Sequence, residues 1–151
     1  MPESISKIIK HYDTLVARAQ YLFVPLLLLF FRLWVAWVFF NSGLTKIASW
    51  DSTLYLFEYE YQVPILPWEL AAYMGTAAEL ILPTFLTLGL LTRPMASILF
   101  VFNVIAVVSY PLLWEKGFYD HQLWGLMILV VVVWGPGPIS ADKLIKNKFQ
   151  E

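Results

Sequence analysis

The sequence contains no cysteine, only two histidines, and few charged residues, 14% of the chain. Without a thiol, the chain by itself builds no disulfide, iron–sulfur cluster or thiol relay. His11 and His121 fall on opposite sides of the membrane in the topology derived below, so they cannot share one haem or one metal ion. A self-contained redox centre is therefore not expected. Ten Lys and Arg against eleven Asp and Glu leave a net charge of −1. That balance points to no particular partner, and no nucleic acid is expected. Internal repeats and low-complexity segments are also lacking, so residues 1–151 read as one domain.

Apolar residues fill the space that charge leaves, at 60% of the chain, a share that a soluble domain of this length cannot hide. Four apolar runs, at about 22–41, 70–91, 94–114 and 119–135, approach the roughly 20 helical residues that cross a hydrocarbon core. The fourth, "HQLWGLMILVVVVWG", is the shortest, and its ends are expected near the interface. The first is too long for a signal-peptide core, carries Arg32 at its centre and lacks a small-residue cleavage site, so it reads as retained. Lys7, Lys10 and Arg18 precede the first run, Arg93 lies between the second and third, and Lys143, Lys146 and Lys148 follow the fourth. Only Lys46 and Lys116 fall in the other loops. The positive-inside rule then predicts an all-α integral membrane bundle of four helices with both termini in the cytoplasm.

Residues 4–20 place Ile5, Ile8, Ile9, Tyr12, Leu15, Val16 and Ala19 at helical spacing. This predicts an amphipathic N-terminal helix lying on the cytoplasmic leaflet, an ordinary juxtamembrane element unless it recruits a partner. Between the first two spans, "IASWDSTLYLFEYEYQVPILPWE" holds four acidic residues and two prolines and is not expected to cross. Asp51 is placed to cap a short helix over about 52–61, an aromatic interfacial segment or lid. After the fourth span, Gly135, Pro136, Gly137 and Pro138 stop the helix, and Ser140 is placed to cap an amphipathic helix carrying Leu144, Ile145 and Phe149.

Counted from opposite faces, Arg32, Glu79 and Asn103 reach the same depth in the first three spans. An unpaired charge there costs about 3 kcal/mol on insertion scales, so the sequence predicts Glu79 paired with Arg32, with Asn103 as third member. Ala72, Gly75 and Thr76 share the face of Glu79 and suit close helix approach. Pro83 removes the donor that would meet the Glu79 carbonyl, and a kink is expected there. Such a cluster is either structural glue or a site for a quinone headgroup or a proton. A second constellation is expected at the outer end: Asn41, Lys46, Glu115, Lys116, Asp120, His121 and Gln122. A soft copper(I) site would draw on Met74, Met127 and His121. Scattered methionines ordinarily fill space, and no metal site is expected.

The stretches "RLWVAWVFFNSGLTKI", "GTAAELILPTFLTLGLLTRP" and "GPGPISAD" resemble the DoxX family of small bacterial membrane proteins. Arg32, Leu33, Phe39, Gly43 and Lys46 match its first-helix pattern, and Glu79, Gly89 and Arg93 its second. Ala141 departs from the family's usual Ser-Leu-Asp ending. The resemblance implies a four-helix inner-membrane protein, some of whose relatives are small subunits linked to thiosulfate:quinone oxidoreduction or to oxidative-stress complexes. The wording of "YQVPILPWELAAYMGTAAEL" and "NVIAVVSYP" is similar to DoxX-like members associated with metal-stress proteins. Three functions are compatible with these features: an accessory subunit of a quinone-linked or oxidative/metal-stress redox system with a protein partner, a non-enzymatic membrane scaffold or stress-response accessory protein, and a small transporter assembled as a homo-oligomer.

Overall fold

The computed structural model describes residues 3–150, apart from the side chains of Glu3 and Glu115. Among the described residues seven helices follow in order: α1 (Glu3–Ala48), α2 (Trp50–Tyr59), α3 (Trp68–Leu88), α4 (Thr92–Ser109), α5 (Leu112–Lys116), α6 (Phe118–Trp134) and α7 (Ala141–Lys148). Helices α1, α3 and α4 are long and apolar enough to cross a hydrocarbon core, and α6 is a shorter apolar helix of 17 residues. The chain is an all-α membrane bundle.

The four apolar helices form a ring in which α1 packs on α3 and α6, and α4 packs on the same two. Val35, Ala36 and Phe39 of α1 meet Leu82 and Leu86 of α3, Ala96 and Leu99 of α4, and Met127, Ile128 and Val131 of α6 in one core. In lipid such packing is driven by close van der Waals fit rather than by escape from water, which gives small residues their value at the contacts. A Cβ on Gly43 would lie 2.8 Å from Leu80 Cδ2 and 3.1 Å from Glu79 Cβ, so only glycine lets α1 and α3 approach this closely there.

Two expectations about α1 are corrected. The amphipathic segment is not a separate element, since one helix of 46 residues runs from Glu3 to Ala48 through Pro25. At 1.5 Å per residue it is about 69 Å long, more than twice a hydrocarbon core, so its apolar run does not fix its register against the bundle. The helix also continues past residue 41 and carries Lys46 alongside α3 instead of leaving it in a loop.

Helix α2 begins at Trp50, with Asp51 inside its first turn and Ser49 as the flanking residue, so Asp51 is not its cap. Thr53 and Phe57 of α2 are buried, and Phe57 packs with Ala71 and Ala72 of α3. Helix α3 continues unbroken through Pro83. Ser140 caps α7 as expected, its hydroxyl accepting from the Lys143 N–H at 3.2 Å.

Candidate functional site

Arg32, Glu79 and Asn103 do not converge; the structure places them in three separate polar centres. Arg32, only 2% exposed, sits where α3 turns into α4, and its Nη1 donates to the Pro136 carbonyl. Gly89 lies directly against it, with a left-handed φ of 67°, and a Cβ there would fall 2.9 Å from Arg32 Nη1 and 2.6 Å from Ser140 Cβ. Asp142 completes this clasp. Its carboxylate accepts the Leu91 and Thr92 N–H groups, each at 2.8 Å, and its own N–H donates to the Gly89 carbonyl at 2.9 Å. Partial burial alone would raise the Asp142 pKa, but the N–H groups at the start of α4, with the nearby Arg32 charge, hold it below its ordinary value. The "GPGPISAD" segment thus ties the end of the chain to α1 and to the α3–α4 turn.

Ten residues separate Gly89 from Glu79, about 15 Å along α3, so Arg32 cannot reach the carboxylate. The partner of Glu79 is Lys46. Its ammonium lies 2.6 Å from Oε2 and 2.8 Å from Oε1, and Ser42 donates to Oε1 at 3.2 Å. The pair is largely buried, with side-chain exposures of 15% and 8%. Four residues, about one helical turn, separate Ser42 from Lys46, so both face α3, and the Lys46 ammonium also donates to the Ser42 hydroxyl at 3.0 Å. This charge neutralises Glu79 locally, the arrangement a carboxylate needs within a bundle.

Asn103 pairs with His121 instead. Its Nδ2 donates to the His121 carbonyl at 3.0 Å, and its Oδ1 lies 2.7 Å from the ring Nδ1. The ring packs edge-on against Trp124, with centroids 4.7 Å apart. The expected outer cluster is likewise divided. Lys46 belongs to Glu79 and His121 to Asn103, while Asp120, Gln122 and Lys116 are exposed and Asn41 is half-buried. The Glu115 side chain lies outside the described residues. Of the three copper candidates, Met74 and His121 line one cavity, whereas Met127 is packed in the bundle core.

That cavity has a volume of about 670 Å³ and brings together two of the three centres. Ser42, Lys46, Glu79, Ser109 and His121 reach it, while Phe57, Tyr61 and Tyr110 form an aromatic roof. Tyr61 meets Phe57 and Tyr110 edge-on at 4.7 and 4.6 Å, and the Tyr110 hydroxyl donates to Glu60 at 3.0 Å. Burial, followed by the neighbouring Tyr110, Glu79 and Glu60, pushes the Tyr61 phenol up to about 12, so it keeps its proton. The side wall is hydrocarbon from α3 and α4, and Met74, Ile98 and Val101 in it are about half exposed on the outer surface of the bundle. The crevice therefore opens sideways, toward lipid. Sequence reasoning missed Ser42 and Ser109; the Ser42-x-x-x-Lys46 spacing was the available signal for the first.

The DoxX family model matches residues 27–111, more than half of the sequence, and the chain belongs to that family. The match includes Ser42, Lys46 and Glu79 and ends before His121. A Haemophilus influenzae protein described as uncharacterized is 29% identical over 133 residues, covering 81% of this chain and 85% of its own length. No solved structure matches.

Proposed function

We propose that this DoxX protein is an accessory subunit of a quinone-linked or metal-stress redox system in the bacterial inner membrane. In this reading it holds a quinone-type headgroup in the crevice between α2, α3 and α4, while a partner protein supplies or receives the electrons. One observation carries it: a cavity of about 670 Å³, apolar along its lipid-facing side, reaches the buried Lys46–Glu79 pair. Lipid-soluble ligands of mixed polarity suit such a site, because hydrocarbon walls hold the tail and a few fixed polar groups orient the head. The residues fit that class. The aromatic roof offers a face to a flat ring, and the Ser109 hydroxyl is buried without a partner among the described residues. Arg32 is not part of this site. Protein purified from native membranes should carry quinone in stoichiometric amount, and the paired change Lys46→Met with Glu79→Met should remove it while the protein stays folded. Quinone-free wild-type protein that also binds none when it is supplied would refute this reading.

The distribution of Lys and Arg supports cytoplasmic termini. The lack of native cysteine gives a clean background for testing this, since a single cysteine at Lys148 should resist a membrane-impermeant maleimide in intact spheroplasts and one at Glu58 should react.

The start of α1 favours a second reading, as a scaffold. Ile5, Ile8, Ile9, Tyr12 and Leu15 are exposed on a stretch that stands clear of the bundle. Stable capture of one defined redox partner that is lost on deleting residues 3–20, from protein that binds no quinone, would support it.

A further inference from the structure

An ammonium group has three protons to give, and Lys46 has committed all three: one to Ser42 at 3.0 Å and the others to Glu79 Oε1 and Oε2 at 2.8 and 2.6 Å. The strongest donor on the cavity is therefore fully used. The acceptors are not. A carboxylate offers about four lone-pair positions, and Glu79 uses three, two on Oε1 and one on Oε2.

His121 adds a second acceptor, by an argument from chemistry rather than from distance alone. The Asn103 amide nitrogen must face the His121 carbonyl, because a carbonyl can only accept. The amide oxygen is thereby turned toward the ring, 2.7 Å from Nδ1, and it too can only accept. Nδ1 must carry the proton, so in the neutral ring Nε2 keeps its lone pair. Ser109 and Tyr61 hydroxyls both give and accept, so they do not discriminate.

We infer that the cavity is an acceptor site, one that selects a lipid-soluble ligand presenting a phenolic hydroxyl, and so takes the quinol in preference to the quinone. This rests on the ligand-binding reading above and specifies the form of the ligand. Glu79 and His121 accept hydrogen bonds from the ligand hydroxyls, and Asn103 is a positioning residue that keeps the His121 lone pair on Nε2. Opposite Glu79 and His121 a bare carbonyl oxygen meets only acceptors and forgoes the hydrogen bonds that a hydroxyl makes there. No electron transfer is implied by this preference, which concerns binding alone.

The test compares a short-chain ubiquinol with the matching ubiquinone, each titrated anaerobically into purified protein in lipid nanodiscs. The quinol should bind about tenfold tighter, the scale of one net hydrogen bond. His121→Phe should remove most of that preference, bringing the ratio of quinol to quinone affinity toward one. Isotope-edited histidine NMR of the wild type should show a protonated Nδ1 and a bare Nε2, and Asn103→Leu should shift the ring toward the opposite tautomer. The wild-type measurements need no variant, so a misfolded mutant does not spare the idea. Equal or tighter binding of the quinone, or a bare Nδ1, overturns the preference and leaves the ligand-binding reading standing. Failure of both forms to bind overturns the two together.

Discussion

Lys46 grips both oxygens of Glu79, and the two residues come from helices whose register is set by the contact of Gly43 with Leu80 and Glu79. The carboxylate in the middle of α3 is thus compensated by the end of α1, one turn beyond the Ser42 that shares its bonds. This pairing defines the polar end of the cavity, and it makes the charge of each residue depend on the presence of the other.

Breaking a buried ion pair from one side leaves a stranded charge. Lys46→Met or Glu79→Met alone is expected to cost about 3 kcal/mol, whereas the double change should recover most of that loss. A double-mutant cycle of unfolding midpoints in detergent checks this, and strict additivity would show that the contact contributes nothing.

Arg32 and Glu79 should behave as strangers. Exchanging their charges together is expected to give no rescue over the single changes, with a coupling below about 0.5 kcal/mol for residues this far apart. Arg32→Met should instead loosen the segment around Pro136, visible as faster amide exchange there. Strong coupling between Arg32 and Glu79 would contradict the clasp.

Gly89→Ala should be poorly tolerated. It forces a side chain into a left-handed φ of 67° and brings a methyl group within 2.6 Å of Ser140 Cβ. A loss of about 1–3 kcal/mol is expected from backbone strain alone, with added cost as Ser140 is displaced. Thermal melting of the solubilised variant measures it.

Acid should release the C-terminal helix. The Asp142 pKa is depressed below its ordinary 3.8 in the folded chain, so the stability it lends is fully present above about pH 4. That contribution disappears as pH falls through the lower folded value. Protease cleavage around α7 should accelerate across that window, and Asp142→Ala should abolish the pH dependence while raising cleavage at neutral pH. Asp142→Asn retains one acceptor and should lie between the two.

Several features were legible in the sequence because they depend on local pattern: the apolar runs, the Ser140 cap, the buried face of Ala72, Gly75, Thr76 and Glu79, and the burial of Arg32 and Asn103. The partners were not legible, because they depend on the sliding register of α1 against α3. Depth counted from the middle of the apolar run misplaces it, because the Leu22–Leu27 part of that run lies largely exposed at its start and the helix continues seven residues past residue 41. That shift moved Lys46 onto Glu79 and Arg32 onto the α3–α4 turn. The Asn103 pairing is hidden for a related reason: His121 stands at the edge of an apolar run, where the sequence pattern alone points to a solvated interfacial position.

The continuity of α1 between Arg32 and Lys46 has a mechanical consequence. The fourteen helical steps from one to the other make a rod of about 21 Å with no proline in it, pinned at one end by Pro136 and Gly89. With the clasp as fulcrum, a tilt of about 5° carries the far end through about 2 Å, enough to part an ammonium from its carboxylate. A load placed on the protruding first half of the helix would therefore be felt as leverage on the Lys46–Glu79 contact at the polar end of the crevice.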